Sequence, residues 1–270
     1  MTAPTAAGPR TRGGLVASRP SLRGTMPLRG HFREARHRGL RAAAAVALGV
    51  IAGFLLSAQI LDILRGPIEE LARSREASLN YDTVTAAFDL KLTIAVLSGI
   101  VLSSPVWLFE LFAFVTPGLT RREKRTVFGF AAAAVPLFAL GCMFGFTVFP
   151  RMVHLLTGFA SDQDSTILTA SYYVGFAAKT VVAIGVAFVL PVFLVMLNFV
   201  GLVSARALRH GWRWIVIVIA LFSALVTPAA DVFSMFLIAV PMSALFGGAL
   251  LITVLHDRRA ARKDATPCSV

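Results

Sequence analysis

Six long apolar runs divide this chain: Ala42–Leu61, Ala87–Phe112, Val127–Phe149, Val174–Val200, Trp214–Val226 and Val232–Leu255. They decide its solvent before anything else about it. A helix needs roughly 20 mostly apolar residues to cross the hydrocarbon core of a bilayer. The fifth run is about half that length. It must stand nearly upright, sit in thinned bilayer, or stop short of crossing. With 57% hydrophobic and 15% charged residues, the chain fits a polytopic membrane protein and not a soluble domain. The expected fold is an all-α membrane protein of six transmembrane helices.

A net charge of +12 would suit a nucleic-acid partner, but the placement of the charges argues against one. Residues 1–41 carry nine Lys and Arg, 113–126 four, 201–213 three and 256–270 four. The alternate segments carry three (62–86), one (150–173) and none (227–231). This loop-by-loop alternation is the positive-inside pattern, and it places both termini in the cytosol. The basicity is therefore an orientation signal.

Residues 1–29 are rich in Arg, Pro, Gly, Ser and Thr and contain no acid. They read as a disordered basic cytosolic tail without the apolar segment of a secretory signal. Met26 is an alternative start, since everything interpretable follows it. A six-helix domain over residues 30–256 and a cytosolic tail over 257–270 complete the plan. Pro67 marks a turn in the first outer segment, which has room for a short helix or two. Pro105, Pro136, Pro191 and Pro241 fall inside spans, where proline removes a backbone hydrogen bond and bends the helix. Bent helices suit a cupped, concave bundle. The turn Thr227-Pro228-Ala229-Ala230-Asp231 makes the last two spans antiparallel neighbours. Cys142 in the third span and Cys268 in the tail do not form a disulfide framework.

Little in the sequence resembles a catalytic centre. None of the five histidines lies within a span, and no pair has a metal-site setting. No nucleophile elbow or nucleotide loop is present. The reading is of a non-enzyme that uses no cofactor or metal. Charges at or within spans are Asp89, Lys91, Glu110 and Lys179, with Asp231 at the last outer turn. Intramembrane charge is costly and hints at function, although side chains near helix ends can snorkel to water. A small-molecule or ion transporter using Glu110, Lys91 and Lys179 is the alternative reading. The lack of an internal inverted repeat weighs against it.

Two further acids stand among arginines at the membrane edge. Glu34 lies four residues before Arg38, the spacing of a helical ion pair. Glu123 lies three residues after Thr120, the spacing of a capping box. Each has an ordinary structural explanation. Of the four cytosolic acids, Asp257 and Asp264 fall in the tail, which leaves these two on ordered elements. A carboxylate binds guanidinium as a bidentate fork, so two of them would select adjacent arginines over lysines.

The segment His31-Phe32-Arg33-Glu34-Ala35-Arg36-His37-Arg38-Gly39-Leu40 resembles the His-Leu-x-Glu-Leu-Arg-x-Arg-Leu motif of the TatC family of the twin-arginine protein translocase. Ser104-Pro105-Val106-Trp107-Leu108-Phe109-Glu110-Leu111-Phe112-Ala113-Phe114-Val115-Thr116-Pro117-Gly118-Leu119, followed by Glu123, resembles that family's second span and first inner loop. Phe188-Val189-Leu190-Pro191 and the stretch from Thr227 to Met235 resemble its fourth span and last outer turn. The resemblance implies a six-helix cupped scaffold in the cytoplasmic membrane that binds twin-arginine signal peptides of folded cargo. It implies that Glu34 and Glu123 hold the arginine pair, with Arg36, Arg38 and Phe114 on the same surface. It also implies TatA-like and TatB-like single-span partners along the last two spans, near Thr227 and Met235. Self-association, contact with membrane lipid and use of the proton-motive force follow from it as well. Lys91 falls on a recurrent family lysine. The chain departs from the pattern at Val189 and Gly247, where the family has glutamates, and at Ala35, Phe146 and Met235.

Overall fold

Apolar sequence in lipid must satisfy its backbone hydrogen bonds within the segment, which makes each run a helix. The computed structural model describes residues 28–63, 78–80, 83–114, 121–157, 167–227 and 232–264. Helix α1 covers Leu28–Leu55. After a turn at Leu56, α2 is described over residues 57–63. Then come α3 (Ala86–Leu102), α4 (Ser104–Phe114) and α5 (Arg121–Thr157). They are followed by α6 (Ala170–Phe199), α7 (Ala205–His210), α8 (Trp212–Val226) and α9 (Val232–Asp264).

Among the described residues, four stretches are long and apolar enough to cross a bilayer: Phe32–Leu55, Arg125–Val153, Tyr172–Phe199 and Val232–Arg259. The pair α3 and α4 makes a fifth if counted as one span, but it is bent by 57°. The bend falls at Ser103, just before Pro105. Proline fits the first turn of a new helix, where its missing N–H costs nothing. The indole Nε1 of Trp107 donates to the Ile100 carbonyl at 2.9 Å and ties the two halves across the break. Helix α8 has 15 residues, about 22 Å of helix against the roughly 30 Å of a bilayer core. Among the described residues, length and composition thus support four full spans, or five with the bent pair, with α8 as the half-length run expected from the sequence.

Helix α6 is the centre of the bundle. One apolar cluster joins it to α3 and α5 through Leu90, Ile94, Phe149, Tyr173 and Val174. A second joins it to α4 and α5 through Leu108, Phe112, Phe138, Val189 and Met196. A third joins it to α5, α8 and α9 through Met152, Ile184, Phe188, Ile219 and Ile238. Val189 lies inside the second cluster at 5% exposure. A cavity of about 340 Å³ nearby is lined by α2, α3, α5 and α6, with Ile94, Ser98, Val101 and Phe146 among its walls. Helix α1 packs on α3 by backbone approach: a Cβ on Gly49 would sit 2.5 Å from the Gly99 carbonyl oxygen.

The helical fold class holds, and two features add to the sequence reading. The first is a short parallel pairing of β1 (Ser78–Asn80) with β2 (Ile167–Thr169). Both strands lie between apolar helices, and their pairing satisfies backbone groups of residues that are themselves outside any helix. The expected tail at 257–270 is helical as far as Asp264, because α9 continues beyond the apolar run that ends at Leu255. Asp257 is thereby an ordered acid, against the expectation that Glu34 and Glu123 are alone in this. Its carboxylate accepts from the Ala205 backbone N–H at 2.8 Å and from Asn198 Nδ2 at 3.1 Å. It thus caps α7, whose Ser204 hydroxyl accepts from Ala207 N–H at 3.2 Å. We expect Asp257→Ala to cost about 1 kcal/mol, a small figure because the side chain is 38% exposed. Faster hydrogen exchange at residues 205–208 would report it.

Candidate functional site

Helical spacing puts Glu34 and Arg38 on one face of α1. Arg38 Nη2 and Nε donate to Glu34 Oε1 at 2.8 and 3.0 Å. The ion pair expected from the spacing is formed. The bend between α3 and α4 then delivers a third member. Arg38 Nη1 donates to Glu110 Oε2 at 3.1 Å, and Arg41 Nη1 lies 3.7 Å from Glu110 Oε1. One guanidinium therefore bridges two carboxylates from different helices.

Burial ranks these contacts. The Glu110 side chain is 10% exposed, Glu34 26%, Arg38 25% and Arg41 70%. A carboxylate as buried as Glu110 is tolerated only with a close cation, and Arg38 is that cation. The contact from the exposed Arg41 is screened and worth little. Both donors from Arg38 to Glu34 converge on Oε1, and no hydrogen bond to Oε2 is made among the described residues. Below the bridge lies a cavity of about 290 Å³ lined by Ala35, Gly39, Trp107, Leu111 and Phe114 together with Arg38 and Glu110. Its lining combines apolar side chains with the paired charges of Arg38 and Glu110.

The other sequence-derived residues fall into place around it or away from it. Arg36 is exposed on α1. Helix α5 begins at Arg121, making Glu123 its third residue at the same end of the bundle, while its side chain lies outside the described set. Pro67, Pro117 and Asp231 also lie outside the described residues. Thr227 is buried and donates from Oγ1 to the Ser223 carbonyl at 3.0 Å, and Met235 is half-buried on α9. Lys91 and Lys179 are exposed, and neither joins Glu110 in an ion pair among the described residues. Among the described residues no group of His, Cys, Asp or Glu is arranged to hold a metal ion.

Sequence reasoning noticed Glu110 but did not give it a partner. The signal was available: an acid within a span needs a cation from a neighbouring helix, and the Arg33–Arg41 cluster lies on the same membrane edge.

The fold and site define a multi-pass helical membrane protein with a carboxylate–guanidinium bridge over an apolar cavity at one end. The family model for Sec-independent protein translocase protein, TatC, matches residues 30–241. TatC of Xylanimonas cellulosilytica is 40% identical over 248 residues, covering 91% of this chain and 90% of its own length. TatC of Campylobacter jejuni is 35% identical over 239 residues, 88% of this chain and 96% of its own. A crystal structure of the twin arginine translocase receptor TatC in DDM superposes with a TM-score of 0.73 at 26% identity, covering 83% of this chain and 99% of that one. This chain belongs to the TatC family and is a Sec-independent protein translocase subunit.

Proposed function

We propose that this chain is the signal-peptide-binding core subunit of the twin-arginine translocation complex. It crosses the cytoplasmic membrane six times as a cupped bundle with both termini in the cytosol, and it serves the export of folded proteins driven by the proton-motive force. Glu34 and Glu123 receive the two arginines of the signal peptide, with Arg36, Arg38 and Phe114 shaping the surface. The observation that carries this reading is Glu34 held by Arg38 through Oε1 alone among the described residues, where Arg38 in turn lines a cavity with Phe114. Oε2 remains to accept from an incoming guanidinium. The topology is supported by the loop-by-loop charge alternation and by α8, which packs on α9 although it is short.

TatA-like and TatB-like single-span partners dock along α8 and α9, near Thr227 and Met235, and self-association and lipid contact occupy the remaining surface. Support comes from the apolar residues that α8 turns outward: Trp214, Val218, Leu221 and Leu225 are each more than half exposed.

The test is crosslinking of an Arg-Arg signal peptide, against its Lys-Lys counterpart, to the region of Glu34 and Glu123 in membranes. We expect Arg-Arg labelling to exceed Lys-Lys labelling by roughly tenfold or more, because a lysine offers no bidentate fork. Glu34→Lys combined with Glu123→Lys should abolish labelling while leaving the thermal transition in place. Equal labelling by both peptides would remove the recognition mechanism.

A further inference from the structure

We infer that Glu110 is a positioning residue for arginine recognition, acting through Arg38 on Glu34. The inference rests on the proposed signal-peptide role of Glu34 and adds a residue to it. Arg38 makes three hydrogen bonds to carboxylates, two to Glu34 Oε1 and one to Glu110 Oε2. A guanidinium is a planar fork, so fixing Nη1 fixes the directions of Nε and Nη2. Glu110 sits on α4, which packs against both α1 and α5, and its side chain is the most buried of the four. It is the anchored end of the chain of contacts, and Glu34 is the presented end. The two bonds to Oε1 hold the Glu34 carboxylate in one rotation about its terminal torsion, which is otherwise broad. Oε2 is thereby presented to a ligand in a fixed direction, as a prearranged acceptor held by a second layer of hydrogen bonds.

The arrangement also explains how a cationic ligand can approach beside an arginine of the protein. The positive charge of Arg38 is matched by Glu110, which leaves Glu34 its own negative charge to offer. Without Glu110, Arg38 and Glu34 would neutralise each other, and an incoming arginine would have to compete with Arg38 for the same carboxylate. Glu110 thus bears on the preference for arginine over lysine, since only a planar fork uses a carboxylate held in one orientation.

The experiment measures the ratio of affinities for Arg-Arg and Lys-Lys signal peptides on the full-length chain in lipid nanodiscs. Glu110→Ala should weaken Arg-Arg binding about tenfold and Lys-Lys binding much less, so the ratio falls. Glu110→Asp keeps the charge needed for folding but withdraws the carboxylate by one methylene, and the ratio should fall there too. In an Arg38→Gln background, adding Glu110→Ala should change the ratio no further, because Glu110 acts through Arg38. An unchanged ratio in Glu110→Asp, an equal loss for both peptides in Glu110→Ala, or a further loss in the double variant would each overturn the inference. A wild-type chain that binds both peptides equally would instead overturn the recognition reading on which it rests.

Discussion

Arg38→Ala should destabilise the protein by about 3 kcal/mol, measured as thermal unfolding in detergent. The estimate is the low end for removing one partner of a buried ion pair. The loss does not come mainly from Glu34, which is 26% exposed and can return to water. It comes from Glu110, whose side chain is 10% exposed and is left, among the described residues, with only the Arg41 cation at 3.7 Å. Arg41 is 70% exposed, and a pair so open to water cannot replace the desolvated one. Removing both charges should therefore be milder than removing one. Arg38→Ala with Glu110→Ala should recover most of the loss, because no buried charge is then stranded. A double variant as unstable as the sum of the two singles would show that the bridge is not a coupled unit.

The bridge shows which parts of the site a sequence can disclose. Glu34 and Arg38 are four residues apart on one helix, so their contact follows from helical period alone. Arg38 and Glu110 are 72 residues apart, and their meeting depends on a 57° bend between α3 and α4. Pro105 announces a bend in that span but carries no angle, so the partner of Glu110 stays hidden until the helices are placed. Asp257 was concealed for a related reason. The basic stretch after Leu255 reads as a tail, yet α9 continues through it and brings the carboxylate to Ala205, 52 residues away.

The fold was more legible, because lipid imposes it segment by segment. Each apolar run is helical, although the first two runs are each broken into two helices and α1, α5 and α9 extend beyond theirs, and the half-length run became the 15-residue α8. What escaped was the order between segments. The parallel pairing of Ser78–Asn80 with Ile167–Thr169 joins two stretches far apart in the chain, each too short for its pattern to announce a strand. The interior position of Val189 was equally unreadable. A valine in place of the acid expected from the family resemblance says nothing by itself of its surroundings, and Phe138, Cys142 and Met196 supply them.

Gly99→Val should have the largest effect of any substitution outside the charged site. A Cβ on Gly99 would lie 2.6 Å from the Val50 nitrogen and 2.8 Å from the Gly49 carbonyl carbon and the Val50 Cα. These are backbone atoms of α1, which cannot swing aside as the end of a side chain would. Helices in lipid gain little from burying apolar surface and depend on close approach at small residues, so parting α1 from α3 forfeits the contact that holds them. We expect a loss of about 3 kcal/mol, the upper range for overpacking. The functional loss should be larger than stability alone would give. Helix α1 carries Glu34 and Arg38, while Glu110 rides on α4, the continuation of α3. A shift of one ångström would take the 3.1 Å Arg38–Glu110 hydrogen bond beyond bonding range. Peptide binding should therefore fall in Gly99→Val even at temperatures where the protein remains folded. Gly129→Ala on α5 is the control: a Cβ there meets nothing within 4 Å, and both stability and binding should be retained. Normal peptide binding by folded Gly99→Val would show that the α1–α3 contact does not set the geometry of the bridge.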